Sequence, residues 1–167
     1  MRTLTLEPVR WLASNPIRQL LLTKLSAHPT CACLNTALRS EIAMARAHRH
    51  VIDRLHLYPF KETLEACRES HGQRVERLRA LILAQGGVPA ANAGLFGKSL
   101  SGLIQGLMRV SERFALTALH LQEEQLLRSY RTNNGHLNED ARKTVETEIL
   151  PQQDGTRDTM RGVAARL

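Results

Sequence analysis

Five carboxylate and imidazole side chains at helical spacing are the part of this sequence best suited to chemistry. His120 precedes Glu123 and Glu124 by three and four residues, so a carboxylate can share a helix face with the imidazole. Glu41 and His71 each stand within an apolar stripe and are expected to point inward. Carboxylate oxygens and imidazole nitrogens are common ligands of zinc, iron and related ions. The candidate ligands of a mononuclear or distorted dinuclear site are Glu41, His71, His120, Glu123 and Glu124.

A complete dinuclear iron site between four helices is not expected. Such a site takes a glutamate from each of two helices and a Glu-x-x-His pair from each of the other two, because residues three apart share one face. That pair never occurs in the sequence. Arg68 stands where His71 would need its carboxylate, and residues 138–167 contain no histidine. The ligand types allow iron or another divalent metal, but we do not expect one to be bound.

His71 should instead have a partner inside the protein. An unpaired imidazole in the core would cost roughly 1 to 3 kcal/mol. Glu41, Glu123 and Glu124 are the carboxylates expected within its reach, and they would be the co-ligands if a metal were present. We predict a structural hydrogen bond or ion pair.

Four predicted helices must position these side chains. Apolar residues recur every three or four positions from Leu34 onward. The third helix is predicted as one element from about Ser99 to Arg131, and Pro151 and Gly155 should kink the fourth. The predicted connections are residues 56–60, 86–98 and 132–138.

The helices and connections predict an all-α antiparallel four-helix bundle. A long second connection between two short ones is typical of the ferritin-like topology, which has one crossover. An up-down-up-down bundle stays open as the alternative, because a thirteen-residue loop is short for a full bundle length unless it is extended. The inward faces predict buried side chains at Leu38, Ile52, Leu64, Leu78, Phe114, Leu121 and Met160.

Two regions are predicted, with residues 34–167 forming the bundle and residues 1–33 a basic amphipathic extension. Asn15 and Pro16 are typical of a helix start. Four basic residues accompany Glu7 as the only acid in the extension, which therefore carries +3. A helix of this kind covers an edge of the bundle or docks on a partner, and we expect a homo-oligomer or a protein partner bound through this segment.

The composition favours a soluble, cytoplasmic helical protein. Aromatic residues make up only 4% of the chain, which is low for a sheet protein. Three cysteines without a CxxC pair indicate reduced thiols. No apolar run approaches the roughly 18 to 20 residues of a transmembrane helix. The net charge of +7 allows nucleic-acid binding, but so much of it falls in residues 1–33 that this is a weak expectation for the bundle.

The stretch from Leu64 to Tyr130 resembles a known family. His71, the RxxxLRxLIxxxGGxP run from Arg74 to Pro89, and Glu123–Glu124 leading to Tyr130 are similar to bacterial ferritin-like bundles of unknown function that are grouped with stress-response proteins. The resemblance covers about residues 34–165. It implies a fold and no particular activity.

The favoured hypothesis is a non-catalytic ferritin-like bundle with a stress-associated or protein-interaction role. It rests on the missing Glu-x-x-His pairs together with an intact bundle pattern. The first alternative is a metal-binding bundle, iron-handling or oxidase-like, with an atypical Glu and His site. The second alternative is non-specific association with DNA through the basic charge.

Overall fold

The computed structural model describes residues 29–56 and 58–167. Within these ranges the chain is helical without any strand, which confirms the all-α prediction. The predicted N-terminal helix lies outside the described residues. The α-helices are α1 (Pro29–Ile52), α2 (Lys61–Ala84), α3 (Gly94–Val110), α4 (Glu112–Asn133), α5 (Glu139–Thr144) and α6 (Leu150–Ala164), with 3-10 turns at Tyr58–Phe60 and Asn134–His136 and a π-helical turn at Val145–Ile149.

Four helices form a ring in which each is antiparallel to both of its neighbours. Along α4 and α6 the contacts run in opposite order, since Glu124 pairs with Arg161 while Arg131 pairs with Asp154. The same reversed order holds between α1 and α2, between α1 and α4, and between α2 and α6. α1 begins at Pro29, so residues 29–33 belong to this ring. No described helix combines the length and apolarity needed to cross a membrane.

α3 returns the chain along the length of the ring. Because α2 and α4 both run antiparallel to α1, the segment between them must travel back to the end at which α2 began. The connection predicted at 86–98 therefore becomes helical from Gly94, whose φ of +62° suits glycine. Gly97 lets α3 approach α1, because a Cβ at this glycine would lie 3.6 Å from the Cβ of Ala43. Buried Leu100 and Ile104 face the core.

The prediction of one helix from Ser99 to Arg131 is wrong. Ser111 has an extended backbone and separates α3 from the antiparallel α4. The reason is tertiary. Leu116 is buried on α4 as Leu100 is on α3, but at 100° per residue the two would lie about 160° apart around one helix. A continuous helix could bury only one of them.

The break also explains two wrong burial predictions. Phe114 is 58% exposed and Leu121 is 59% exposed, because α4 turns Ala115, Leu116 and Leu119 inward instead. The predicted stripe continued the outer face of α3 across a break that periodicity does not reveal. The other five predictions are confirmed, since Leu38, Ile52, Leu64, Leu78 and Met160 are buried.

The irregularity predicted at Pro151 takes the form of the π-helical turn just before it. Proline has no N–H to donate to the preceding turn, and a wider turn accommodates that loss. The turn buries Val145 and Ile149, and α6 then continues through Gly155. The wider turn therefore rotates the side chains of α6 about the helix axis relative to their positions in a regular α-helix.

Candidate metal centre

A layer of buried polar side chains crosses the middle of the ring. Every ring helix contributes two of them. They are Glu41 and His48 from α1, His71 and Arg74 from α2, Glu123 and Tyr130 from α4, and Gln153 and Thr156 from α6. Spacings of three and seven residues keep each pair on one face of its helix. The layer is closed to solvent, so its charges must be satisfied within it.

His71 bridges two carboxylates from different helices. Its Nδ1 lies 2.6 Å from Oε2 of Glu41, and its Nε2 lies 2.8 Å from Oε1 of Glu123. The predicted inward orientation of His71 is thus confirmed, and of its three predicted carboxylate partners Glu41 and Glu123 are in contact with it while Glu124 is not. Both ring nitrogens donate, which is the arrangement of a protonated imidazolium.

The pKa values in this bridge follow from burial and opposite charge. Burial alone would lower the pKa of His71, but Glu123 and Glu41 raise it to about 9. Burial would raise the pKa of Glu123, but His71, with help from His48 and Gln153, lowers it to about 2. The pKa of Glu41 is lowered against the effect of burial by Arg74 and His71. At neutral pH the bridge is an imidazolium between two carboxylates.

Arg74 supplies the second positive charge of the layer. Its Nε donates to Oε1 of Glu41 at 3.0 Å, and its Nη1 donates to Ser70 and to Thr156. Tyr130 donates its hydroxyl to the same Glu41 oxygen at 2.7 Å. Burial and Glu41 hold the pKa of Tyr130 well above its ordinary value, so the phenol keeps its proton. Both oxygens of Glu41 are therefore occupied.

A short contact links Arg74 and His71 directly. Nη2 of Arg74 lies 2.8 Å from Nδ1 of His71. A guanidinium cannot donate to a nitrogen that already carries a proton. Since Glu41 is closer to Nδ1 and is negatively charged, we assign the Nδ1 proton to the bond with Glu41. The two cations tolerate each other because Glu41 lies between them.

Among the described residues, the layer has two buried polar atoms without a hydrogen-bond partner, Nε2 of His48 and Oε1 of Gln153. Nδ1 of His48 lies 3.0 Å from the carbonyl oxygen of Met44, so this nitrogen holds the proton and donates. Nε2 consequently presents a lone pair, and it has no hydrogen-bond partner although His48 is fully buried. Burial and the neighbouring His71 lower the pKa of His48 to about 4, which keeps the ring neutral.

Three potential ligand atoms converge at this lone pair. One atom each from His48, His71 and Glu123 lie within 4.8 Å of one another. Nε2 of His48 is 3.6 Å from Oε1 of Glu123, and Nε2 of His71 is 2.8 Å from the same oxygen. Adjacent ligands of one zinc or iron ion are separated by roughly 3 to 3.4 Å, because each lies about 2.0 to 2.2 Å from the metal. The two separations from Oε1 of Glu123 lie within about 0.3 Å of this range.

The layer fits one ion and does not fit two. A dinuclear site would need carboxylates or imidazoles from all four helices. α6 contributes Gln153 and Thr156 instead, and the guanidinium of Arg74 binds the carboxylate of Glu41. The orphaned Nε2 of His48 is the observation that suits a single cation.

Two of the predicted ligands lie outside this layer. Glu124 accepts from Arg161 at 2.9 Å and is 3.7 Å from Arg157, on the side of α4 that faces α6. His120 is half-buried near Glu124, and its Nδ1 has no partner among the described residues. Of the five predicted ligands, the structure brings together only Glu41, His71 and Glu123.

Sequence reasoning did not place Arg74 or Gln153 in the site, and it noted the inward direction of His48 without making it a candidate ligand. His48 follows Glu41 by seven residues, and that spacing was the available signal for its inward direction. Arg74 follows His71 by three residues, but charged side chains at such positions are usually solvated. Gln153 has no local signal, because only the packing of α6 brings its amide within 2.8 Å of Oε2 of Glu123.

Comparison with known proteins adds no relative. The sequence matches no protein-family model, and neither the curated proteins nor the solved structures show a significant similarity to it.

Proposed function

We propose that this chain is a ferritin-like bundle that binds one divalent transition-metal ion through His48, His71 and Glu123. The observation that carries the proposal is the buried lone pair on Nε2 of His48. A polar atom left unpaired in this way costs roughly 1 to 3 kcal/mol. A cation bound by Nε2 of His48 together with Glu123 and His71 would remove that cost, because the lone pair would then coordinate the ion.

The ring topology supports the ferritin-like part of the proposal. Adjacent helices are antiparallel, and one connection crosses the length of the ring, as in bundles of the ferritin-like class. Here the crossover is the helix α3. The buried polar layer lies at mid-height between the four ring helices, where bundles of this class hold their metals.

The remaining side chains would orient the ligands. Glu41 holds Nδ1–H of His71 at 2.6 Å, which directs Nε2 toward the other two ligand atoms. This carboxylate–histidine arrangement is common behind metal-bound imidazoles. Arg74 and Tyr130 hold Glu41 in place. Gln153 likewise holds Oε2 of Glu123 at 2.8 Å, so that Oε1 is the oxygen directed at the two histidines.

The ligand types define the class of ion. Two imidazole nitrogens and one carboxylate oxygen suit zinc, ferrous iron or manganese, and a bound ion of this kind supplies a Lewis acid. Calcium and magnesium prefer sites made only of oxygen ligands. We therefore propose a borderline transition metal.

A metal-free scaffold with a stress-associated or protein-interaction role is the second candidate. The observation that favours it is charge balance. Arg74 and the His71 imidazolium already neutralise Glu41 and Glu123 without an added cation. Breaking such a buried network is costly, so it can specify one arrangement of the helices.

Elemental analysis of protein purified without a histidine tag separates the two candidates. The metal proposal expects close to one ion of zinc, iron or manganese per chain, retained in His120→Ala and lost in His48→Ala. His120 is the matched control because it is an imidazole of the same bundle outside the layer. His48→Ala leaves the His71 bridge intact, so a folded variant without metal is expected. Salts of zinc, iron and manganese are also added to the wild-type protein. If it takes up none of these ions and its Tm does not change, the metal-free scaffold is established.

A further inference from the structure

Exposed apolar side chains are concentrated on α3 and on the first half of α4. Among the described residues, six of the eight large hydrophobic side chains that are exposed lie between positions 95 and 121. We define the α3–α4 patch as Phe96, Leu103, Val110, Phe114 and Leu121. None of these side chains contributes to the core, so their apolar character is unexplained by folding.

The members of the patch come from two helices that are antiparallel and in contact. Val110 and Phe114 flank the break at Ser111. Leu103 and Leu121 stand eight and ten residues from that break, which places them at similar heights on the two antiparallel helices. The patch is thus one surface made by two helices.

Exposed cations lie on the same two helices as the patch. Lys98 and Arg109 are exposed on α3, and Arg113 and Arg128 are exposed on α4. None of these four cations has an ion pair among the described residues. They are free to meet anionic groups.

Negative charge is scarce on the same surface. Residues 94–111 contain no acidic residue. The nearest carboxylates are engaged elsewhere, since Glu112 accepts from His56 and Glu124 accepts from Arg161. A second copy of the chain docked on the patch by two-fold symmetry would bring its cations toward cations, which disfavours self-association.

We propose that the α3–α4 patch binds the surface of an anionic phospholipid bilayer. Exposed apolar side chains on helices that also expose Lys and Arg and carry few acids are typical of helices that lie in the membrane interface. α3 has 17 residues and is about 25 Å long, enough to lie along the surface without crossing it. Phe96, Leu103 and Phe114 would enter the boundary between headgroups and acyl chains, with Lys98 and Arg109 at the phosphates. This interaction is independent of the proposed metal site.

Vesicle flotation of the full chain tests the proposal. Vesicles of phosphatidylcholine alone are compared with vesicles of equimolar phosphatidylcholine and phosphatidylglycerol. The expected result is binding to the anionic vesicles and at least tenfold weaker binding to the neutral ones. Binding should also weaken from about 0.1 M to about 1 M salt, because the Debye length falls from roughly 10 to roughly 3 Å.

Two variants with matched controls locate the contact. Lys98→Gln with Arg109→Gln should weaken binding about 25-fold, since each cation near an anionic surface contributes roughly fivefold. The control for charge is Arg142→Gln with Lys143→Gln, on exposed α5 positions. Phe114→Gln should weaken binding roughly tenfold. Its control is Leu83→Gln, an exposed apolar residue of α2. All six positions are exposed, so circular dichroism should be unchanged.

Several outcomes would overturn the proposal. One is equal binding to neutral and anionic vesicles, and another is no binding to either. Binding that the patch variants do not weaken would assign the contact to another segment, such as residues 1–28. A dimer in sedimentation that Phe114→Gln dissociates would assign the patch to a second copy of the chain.

Discussion

Nε2 of His48 and Oε1 of Glu123 face each other across 3.6 Å with no hydrogen bond between them. The proton of His48 is on Nδ1, which donates to Met44, so both facing atoms present lone pairs. Two lone pairs at this separation repel in a buried site unless a proton or a cation lies near both. His71 reaches the same oxygen from the other side and holds the proton that now satisfies it. Metal binding and the protonation of His71 are therefore alternatives.

Proton release should accompany metal binding. The pKa of His71 is raised to about 9, so its Nε2 is protonated at pH 7 and must lose that proton before it can bind an ion. We expect about one proton per ion at pH 7, and an affinity that rises with pH up to about 9. Calorimetric titration with zinc in two buffers of different ionisation enthalpy measures this number. A value near zero would exclude His71 as a ligand.

The metal-free protein should be most stable near pH 6.5. The pKa of His71 is raised from 6.5 to about 9, so its stabilising contribution is complete below 6.5 and is lost as pH rises through 9. The pKa of His48 is lowered from 6.5 to about 4, so its contribution is complete above 6.5 and is lost as pH falls through 4. The lowered pKa of Glu123 adds a further loss between 4.5 and about 2.

Urea unfolding across pH 3 to 10 measures both limbs of this profile. His48→Gln should flatten the acidic limb between 6.5 and 4, because the group that must be charged on unfolding is gone. His71→Gln should flatten the alkaline limb. His120→Gln, outside the layer, should leave both slopes unchanged. A single monotonic profile would contradict the opposite shifts of the two imidazoles.

Arg74→Leu should destabilise the fold by roughly 3 to 5 kcal/mol. Its guanidinium is fully buried against Glu41, and its removal leaves a carboxylate with too little positive charge nearby. Arg79→Leu, which removes an exposed pair with Glu76, should cost less than about 1 kcal/mol. Denaturant unfolding at pH 7 compares the two. Equal costs would show that the buried network contributes little to stability.

Truncations along α4 should separate its two faces. Phe114→Ala should change the free energy of unfolding by less than about 1 kcal/mol, since the ring is largely exposed. Leu116→Ala, two residues later and fully buried, should cost roughly 2 to 5 kcal/mol. Thermal and denaturant unfolding of both variants give the comparison. The reverse order would restore the inward stripe that periodicity predicts.

Local periodicity was enough to predict the helical segments that surround the core. The stripes through Leu38, Leu64 and Met160 come from residues three and four apart, and a helix face is a property of its own sequence. His71 lies on such a stripe, so its burial and its need for a carboxylate partner also followed from the sequence. These features depend on neighbours along the chain.

Only the tertiary structure decided how the faces combine. The apolar stripe from Leu103 to Leu121 is compatible with one long helix. Packing against α1, however, requires the chain to reverse at Ser111, and it leaves most of that stripe exposed to solvent. The same packing places Arg74 against Glu41 and leaves Nε2 of His48 without a hydrogen-bond partner. Pairings between residues 30 to 80 positions apart depend on the relative rotation of whole helices, which no local pattern encodes.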